Sequence, residues 1–228
     1  MSDRLIVALD VGGLAAAEKL VQMLLPAGVT RFKIGLQLFT QEGPPAVEMV
    51  HRNGGQVFLD LKFHDIPNTV SQAVQAAARL GVWMANVHIQ GGSAMMRQAI
   101  AVANPPLLIG VTVLTSMVDK DLADLGVYKT LKDQVLSLAK LARTAGLHGI
   151  VASAQEAKEI RRTCGEDFLI VTPGIRPSSD EKDDQQRTAT PSEAIRAGAD
   201  YLVVGRPIVA APDPAQAARA ILQDCAQA

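Results

Sequence analysis

A single-domain (β/α)8 TIM barrel spanning residues 1–228 is the fold class this sequence predicts, on three observations. Eight short β-branched, apolar runs alternate with amphipathic stretches along the whole chain, the length suits one α/β barrel, and charged residues recur where the runs end. Strand-then-helix order repeated eight times calls for parallel strands joined by right-handed crossovers, which close naturally into a barrel. An open doubly wound sheet ranks lower, because Asp10-Val11-Gly12-Gly13 after the first strand does not match the GxGxxG fingerprint of a nucleotide-binding turn.

The elements follow in order. Strand 5–9 is apolar up to Asp10, and 14–25 behind it is amphipathic. Strand 31–34 contains Lys33 and precedes helix 44–53. Strand 56–61 opens with Gln56-Val57-Phe58-Leu59, and helix 68–80 has Asn68 or Thr69 as a candidate cap. Strand 83–88 leads to helix 92–103, strand 107–113 to helix 130–145, and strand 149–152 to helix 154–163. Strand 168–172 is followed by helix 191–197, with Pro191 near its start, and strand 201–204 by a last helix near 213–226, opened by Asp213-Pro214.

Composition narrows the function classes. With 48% hydrophobic residues the chain can bury a large core, while 22 basic against 23 acidic residues leave no electrostatic footprint for nucleic acid or an anionic membrane. Any anionic ligand must therefore be held by a local site. Cys164 and Cys225 lie far apart without metal or redox spacing, which fits thiols used for packing in a reducing compartment, and the chain is read as cytoplasmic. The apolar stretch 5–9 is too short for the core of a signal peptide, and no apolar run approaches a membrane span.

The most informative string is Asp60-Leu61-Lys62-Phe63-His64-Asp65. Alternation along a strand puts Asp60 and Lys62 on one face and Leu61 on the other. An unpaired buried ion costs several kcal/mol, so charges of alternating sign at a buried strand end imply mutual neutralisation or a purpose. In a barrel, catalytic residues belong at the C-terminal strand ends. Those ends supply Asp10, Lys33, Asp60 with Lys62, His88, Thr115 with Ser116, Gly174 with Arg176, and Gly205 with Arg206. A lone His88 would be a core histidine and Asp10 alone a helix cap; their convergence on one rim is what points to a site.

The last two units indicate a phosphate. Thr172-Pro173-Gly174-Ile175-Arg176 and Val204-Gly205-Arg206-Pro207 follow strands seven and eight, where barrels build phosphate sites from glycine amides, and arginine offers a two-pronged donor. Residues 177–187 read as a polar loop over the mouth, able to act as a lid if its carboxylates turn outward. Carboxylates around Lys62 favour its charged form, which argues against a Schiff-base aldolase and for a lysine that stabilises and protonates a carbanion. Asp60 beside a substrate carboxylate would create like-charge strain of about 4 kcal/mol at 4 Å, at an effective dielectric near 20. Loss of carbon dioxide would relieve it.

The string Asp60 to Asp65 with Ile66-Pro67-Asn68-Thr69 resembles the signature of the orotidine 5′-phosphate decarboxylase family, in its bacterial monofunctional type. Further matches lie at Val7-Ala8-Leu9-Asp10, Phe32-Lys33-Ile34-Gly35, Val113-Leu114-Thr115-Ser116, Pro173-Gly174-Ile175-Arg176-Pro177 and Val204-Gly205-Arg206-Pro207, in order over nearly the whole chain. The resemblance implies decarboxylation of orotidine 5′-monophosphate to uridine 5′-monophosphate, with no cofactor or metal. By the same resemblance, Asp10 and Lys33 hold ribose hydroxyls, and Lys33, Asp60, Lys62 and Asp65 form the charged array. Lys62 delivers the proton to C6, and Asp65 and Thr69 come from a neighbouring subunit of a homodimer. Thr115 and Ser116 contact the base, Arg176, Gly205 and Arg206 the phosphate, and Gln185, with Gln186 beside it, is the lid glutamine. One departure is His88-Ile89-Gln90-Gly91-Gly92, where the family has two small residues after the histidine; the bulkier pair bears on packing beneath the site or at the dimer face.

The DxKxxD core is shared with magnesium-dependent sugar-phosphate decarboxylases and aldolases, which should lack the Ile-Pro-Asn-Thr extension. A silent phosphate-binding module and a structural protein with a buried ion network are the non-enzymatic alternatives.

Overall fold

The computed structural model describes residues 4–177 and 188–228. Its centre is a closed barrel of eight parallel strands in sequential order: β1 (Leu5–Ala8), β2 (Arg31–Gly35), β3 (Gln56–Phe63), β4 (Met84–His88), β5 (Leu107–Val111), β6 (Gly149–Val151), β7 (Leu169–Thr172) and β8 (Tyr201–Val204). Closure is made by β1, where Ile6 pairs with Arg31 of β2 on one side and Val203 of β8 on the other. An open doubly wound sheet is thereby excluded.

Around it run α1 (Leu14–Leu24), α2 (Leu36–Glu42), α3 (Pro44–Arg52), α4 (Pro67–Arg79), α5 (Gly92–Ile100), α6 (Asp119–Asp124), α7 (Leu131–Ala145), α8 (Ala154–Cys164), α9 (Pro191–Arg196), α10 (Arg206–Val209) and α11 (Pro214–Ala226). The starts are chemically marked. Thr130, Ser153, Thr190 and Asp213 each accept a backbone N–H of the following turn, with Glu193 completing a reciprocal pair at Thr190. The start of α4 differs from expectation: Pro67 takes the first helical position behind Ile66, and Asn68 and Thr69 lie inside the helix without capping it.

Side chains of the strands separate into two cores. Val7, Phe32, Leu59, Val87, Leu108, Ile170 and Leu202 pack outward under the helices. Ile6, Phe58, Met84, Ile109 and Val171 fill the barrel's interior. Beneath them the Arg31 guanidinium lies 4.6 Å from the Trp83 ring centre and 5.2 Å from that of Tyr201, plugging the N-terminal end. Ile89, the bulky residue after His88, is fully buried over β5, and Gly110 makes the room: a Cβ there would lie 2.6 Å from Ile89 Cγ1. Gln90 is exposed. The thiols of Cys164 and Cys225 are free, and burial raises both, Cys225 to about 11 with help from the Asp224 charge. Among the described residues no helix is long and apolar enough to cross a membrane.

Candidate active site

A cleft of about 410 Å³ opens at the C-terminal ends of the strands, within the size range of small-molecule sites. At its base lies Asp60, 8% exposed. Its Oδ1 accepts from Lys62 Nζ at 2.6 Å and from Asn86 Nδ2 at 2.7 Å, while Lys33 Nζ stands 3.3 Å from Oδ2 and 3.2 Å from Asp10 Oδ1. The order Asp10–Lys33–Asp60–Lys62 thus alternates in sign across three neighbouring strands. Burial pushes the Asp60 carboxyl up, but the charges of Lys33 and Lys62 and the hydrogen bonds from Lys62 and Asn86 together outweigh it and hold the group below its ordinary value.

Local backbone makes this possible. At Gly35 a Cβ would fall 2.7 Å from Lys33 Nζ, so the absence of a side chain gives the ammonium its seat. Lys62 has φ 52°, left-handed for a residue with a side chain, a conformation that costs on the order of 1–3 kcal/mol and persists where surroundings impose it. Simple alternation therefore does not place Lys62. The pairing of β3 with β4 shifts register between Leu59 and Phe63, and the irregular stretch carries both charges.

The loops after β7 and β8 bring Gly174, Arg176, Gly205 and Arg206 to the cleft, which Thr115 also lines, with Val111, Val151 and Val203 among its apolar walls. Gly174 takes φ 78°, which turns the chain after β7 so that Arg176 reaches the mouth. Beyond it Arg176 N–H bonds to Ala189 O and Ala189 N–H to Gly174 O, tying both flanks of the loop together. Gln185, and with it the lid assigned to 177–187, lies outside the described residues apart from Pro177.

Not every expected residue converges. Ser116 is exposed and does not line the cleft. Asp65 and Thr69 are exposed at the entry to α4, with Asp65 Oδ1 accepting the Ile66 N–H, and neither faces this chain's own cleft. His88 stands behind the site with its ring centre 5.4 Å from that of His64; burial, then the charges of His64 and Lys62, pushes it down toward the neutral form. Asn86 was not among the residues sequence reasoning selected. Its signal was present in Met84-Ala85-Asn86-Val87-His88, an amide in the middle of a strand that is apolar up to His88. No group of three or more His, Cys, Asp or Glu that could hold a metal ion occurs among the described residues.

Residues 3–221 match the model of the orotidine 5′-phosphate decarboxylase / HUMPS family. A Moorella thermoacetica protein named orotidine 5′-phosphate decarboxylase is 54% identical, over 96% of this chain and 90% of that one. A Vibrio campbellii protein of the same name is 50% identical over 97% of each. The crystal structure of orotidine 5′-phosphate decarboxylase from Lactobacillus acidophilus superposes with a TM-score of 0.85 at 39% identity, covering 97% of this chain and 98% of that one.

The depressed Asp60 carboxyl has a consequence for acid stability. Stabilisation by ionised Asp60 is complete above its ordinary value of 3.8 and is lost as pH falls through the lower folded value. In urea melts stepped from pH 5 downward, Asp60→Asn should remove part of the acid loss of stability seen in the wild type; an identical slope in both proteins would contradict the depressed carboxyl.

Proposed function

The chain belongs to the orotidine 5′-phosphate decarboxylase / HUMPS family, and from that premise we propose that it converts orotidine 5′-monophosphate to uridine 5′-monophosphate and carbon dioxide in pyrimidine biosynthesis. The observation that carries the reading is the Lys33–Asp60–Lys62 array at the base of a cleft whose far end holds two glycine–arginine pairs. That is one site for charge development and another for a phosphate. The relatives at about half identity over nearly the full chain bear the decarboxylase name, which favours this activity over the sugar-phosphate chemistry of the wider family.

In the proposed pose, Arg176, Arg206 and the Gly205 amide hold the phosphate, Asp10 and Lys33 the ribose hydroxyls, and Thr115 the base, with Ser116 left outside the cleft. The pyrimidine carboxylate then points toward Asp60. As the C6–carboxylate bond breaks, its electron pair stays on C6 and neutral carbon dioxide departs. Lys62 Nζ–H supplies the proton that makes the C6–H bond, and the resulting amine is reprotonated from solvent. The ammonium's attraction for the developing carbanion grows toward the transition state, so it accelerates the step rather than merely binding substrate. Asp60 orients Lys62 and disfavours the ground-state carboxylate. No cofactor or metal enters this scheme.

Asp65 and Thr69 are exposed outside their own cleft, close in sequence to Ile66, which is 66% exposed. This supports a homodimer in which each chain hands these residues to its partner's site, where Asp65 would extend the charged array. Gln185, outside the described residues, is assigned by family resemblance as the lid glutamine that reaches the ligand, with Gln186 beside it. A biosynthetic reaction and two free thiols support a cytoplasmic location.

The test is the ultraviolet absorbance change of orotidine 5′-monophosphate in chelator-containing buffer. Wild type should convert it, and Lys62→Ala should abolish turnover while binding of uridine 5′-monophosphate remains measurable; near-normal turnover would remove Lys62 as the proton donor. For Arg206→Ala, product affinity measured by calorimetry should fall at least tenfold, the scale of one lost charge-assisted contact of about 1.5–3 kcal/mol. An unchanged affinity would put the phosphate elsewhere. Mixing Lys62→Ala with Asp65→Ala chains should restore activity, because one class of mixed-dimer site regains both residues; proven heterodimers without recovery would argue against a shared site.

A further inference from the structure

We propose that Asn86 is a positioning residue for the reaction, holding Asp60 and the backbone of Lys62 with the two ends of one amide; the inference rests on the decarboxylase reading above. The ladder between β3 and β4 supplies the geometry. Leu59 pairs with Ala85 and Phe63 with Val87. Between those pairs β3 contributes Asp60, Leu61 and Lys62, whereas β4 contributes Asn86 alone. Three residues are therefore set against one, and both charged members of the bulge turn to that one.

Asn86 is 1% exposed on the inward face of β4, level with the cleft and above Met84 of the interior core. Its Nδ2 donates to Asp60 Oδ1 at 2.7 Å, and its Oδ1 accepts the Lys62 N–H at 2.8 Å. The amide can face only one way. Reversed, it would set an oxygen against the carboxylate and an NH2 against a backbone N–H. The second bond ties down the residue at φ 52°, from which the Lys62 side chain returns to meet the same Asp60 oxygen at 2.6 Å. Donor and counter-ion are thus oriented from a single neighbour that carries no charge and takes no proton.

Substitution separates this role from simple packing. Asn86→Ala leaves the Lys62 N–H and one lone pair of Asp60 unmatched, so kcat should fall about 100-fold, the loss typical of a displacement near 1 Å. Affinity for uridine 5′-monophosphate, held mainly at the far end of the cleft, should change little. Asn86→Asp is nearly isosteric and serves if the alanine variant fails to fold. A protonated Asp at 86 can still donate to Asp60; an ionised one cannot. The groups around that position are Asp60 and Lys62 on β3 and His88 on β4, with Lys33 on β2 and then Asp10, just after β1, behind Asp60. With the Asp60 carboxylate in direct contact, the new acid should resist ionisation, and kcat of Asn86→Asp should fall as pH rises, along a limb absent from the wild type.

The experiment is the pH dependence of kcat and the product affinity for wild type, Asn86→Ala and Asn86→Asp, with hydrogen exchange at the Lys62 amide as an arm independent of activity. Lowered kcat with retained product affinity, the new limb in Asn86→Asp and faster exchange at Lys62 in Asn86→Ala are the expected results. A kcat near wild type in both variants would overturn the inference, as would kcat and affinity falling together without the new limb, or an unchanged exchange rate at Lys62. If wild type itself leaves orotidine 5′-monophosphate intact, the decarboxylase reading fails, and the exchange rate alone decides whether Asn86 holds Lys62.

Discussion

A carboxylate buried between two ammoniums is the constraint around which this molecule is organised. Asp60 can be ionised at the base of an apolar barrel only because Lys33 and Lys62 neutralise it and Asn86 adds a donor. Those partners come from the strands on either side and from the bulge itself, so β2, β3 and β4 must meet in one register for any of the charges to be tolerable. The same condition places Gly35 where a side chain would unseat Lys33, and keeps Lys62 in a backbone conformation that side chains usually avoid. Function and fold make the same demand here. The interactions that make the ions bearable in the core also aim them into the cleft.

The remainder of the cleft is simpler. Valines of β5, β6 and β8 give the cleft an apolar wall, and Arg176 and Arg206 line the same cleft from the loops after β7 and β8. In the proposed pose, binding energy collected at the phosphate would hold the substrate carboxylate against Asp60, a position it would not choose by itself.

Much of this was legible in the amino-acid order. Strands buried on both faces read as short apolar runs, and the eight expected runs correspond to the eight strands within about two residues. The residues at the strand ends were legible for the opposite reason, since charge is out of place there. What was missed has physical causes. Helices α2, α6 and α10 span only seven, six and four residues, too short to display a helical period. Asn86 lies inside its strand rather than at the end, and its importance depends on a register shift that no one-dimensional pattern displays. Thr69 and the role of Asp65 came from resemblance and Ser116 from its place after a strand, and a single chain leaves all three outside its cleft.

The packed floor of the barrel has a consequence for traffic. Ile6, Phe58 and Met84 close the interior below Asp60, and Arg31 between Trp83 and Tyr201 seals the far end, so the described chain offers no passage downward. The cleft is a pouch with one door. In the proposed pose, carbon dioxide formed at the base of the cleft would lie beneath the nucleotide and share its exit. A closed floor thus leaves the C-terminal rim as the common route for whatever enters or leaves the cleft.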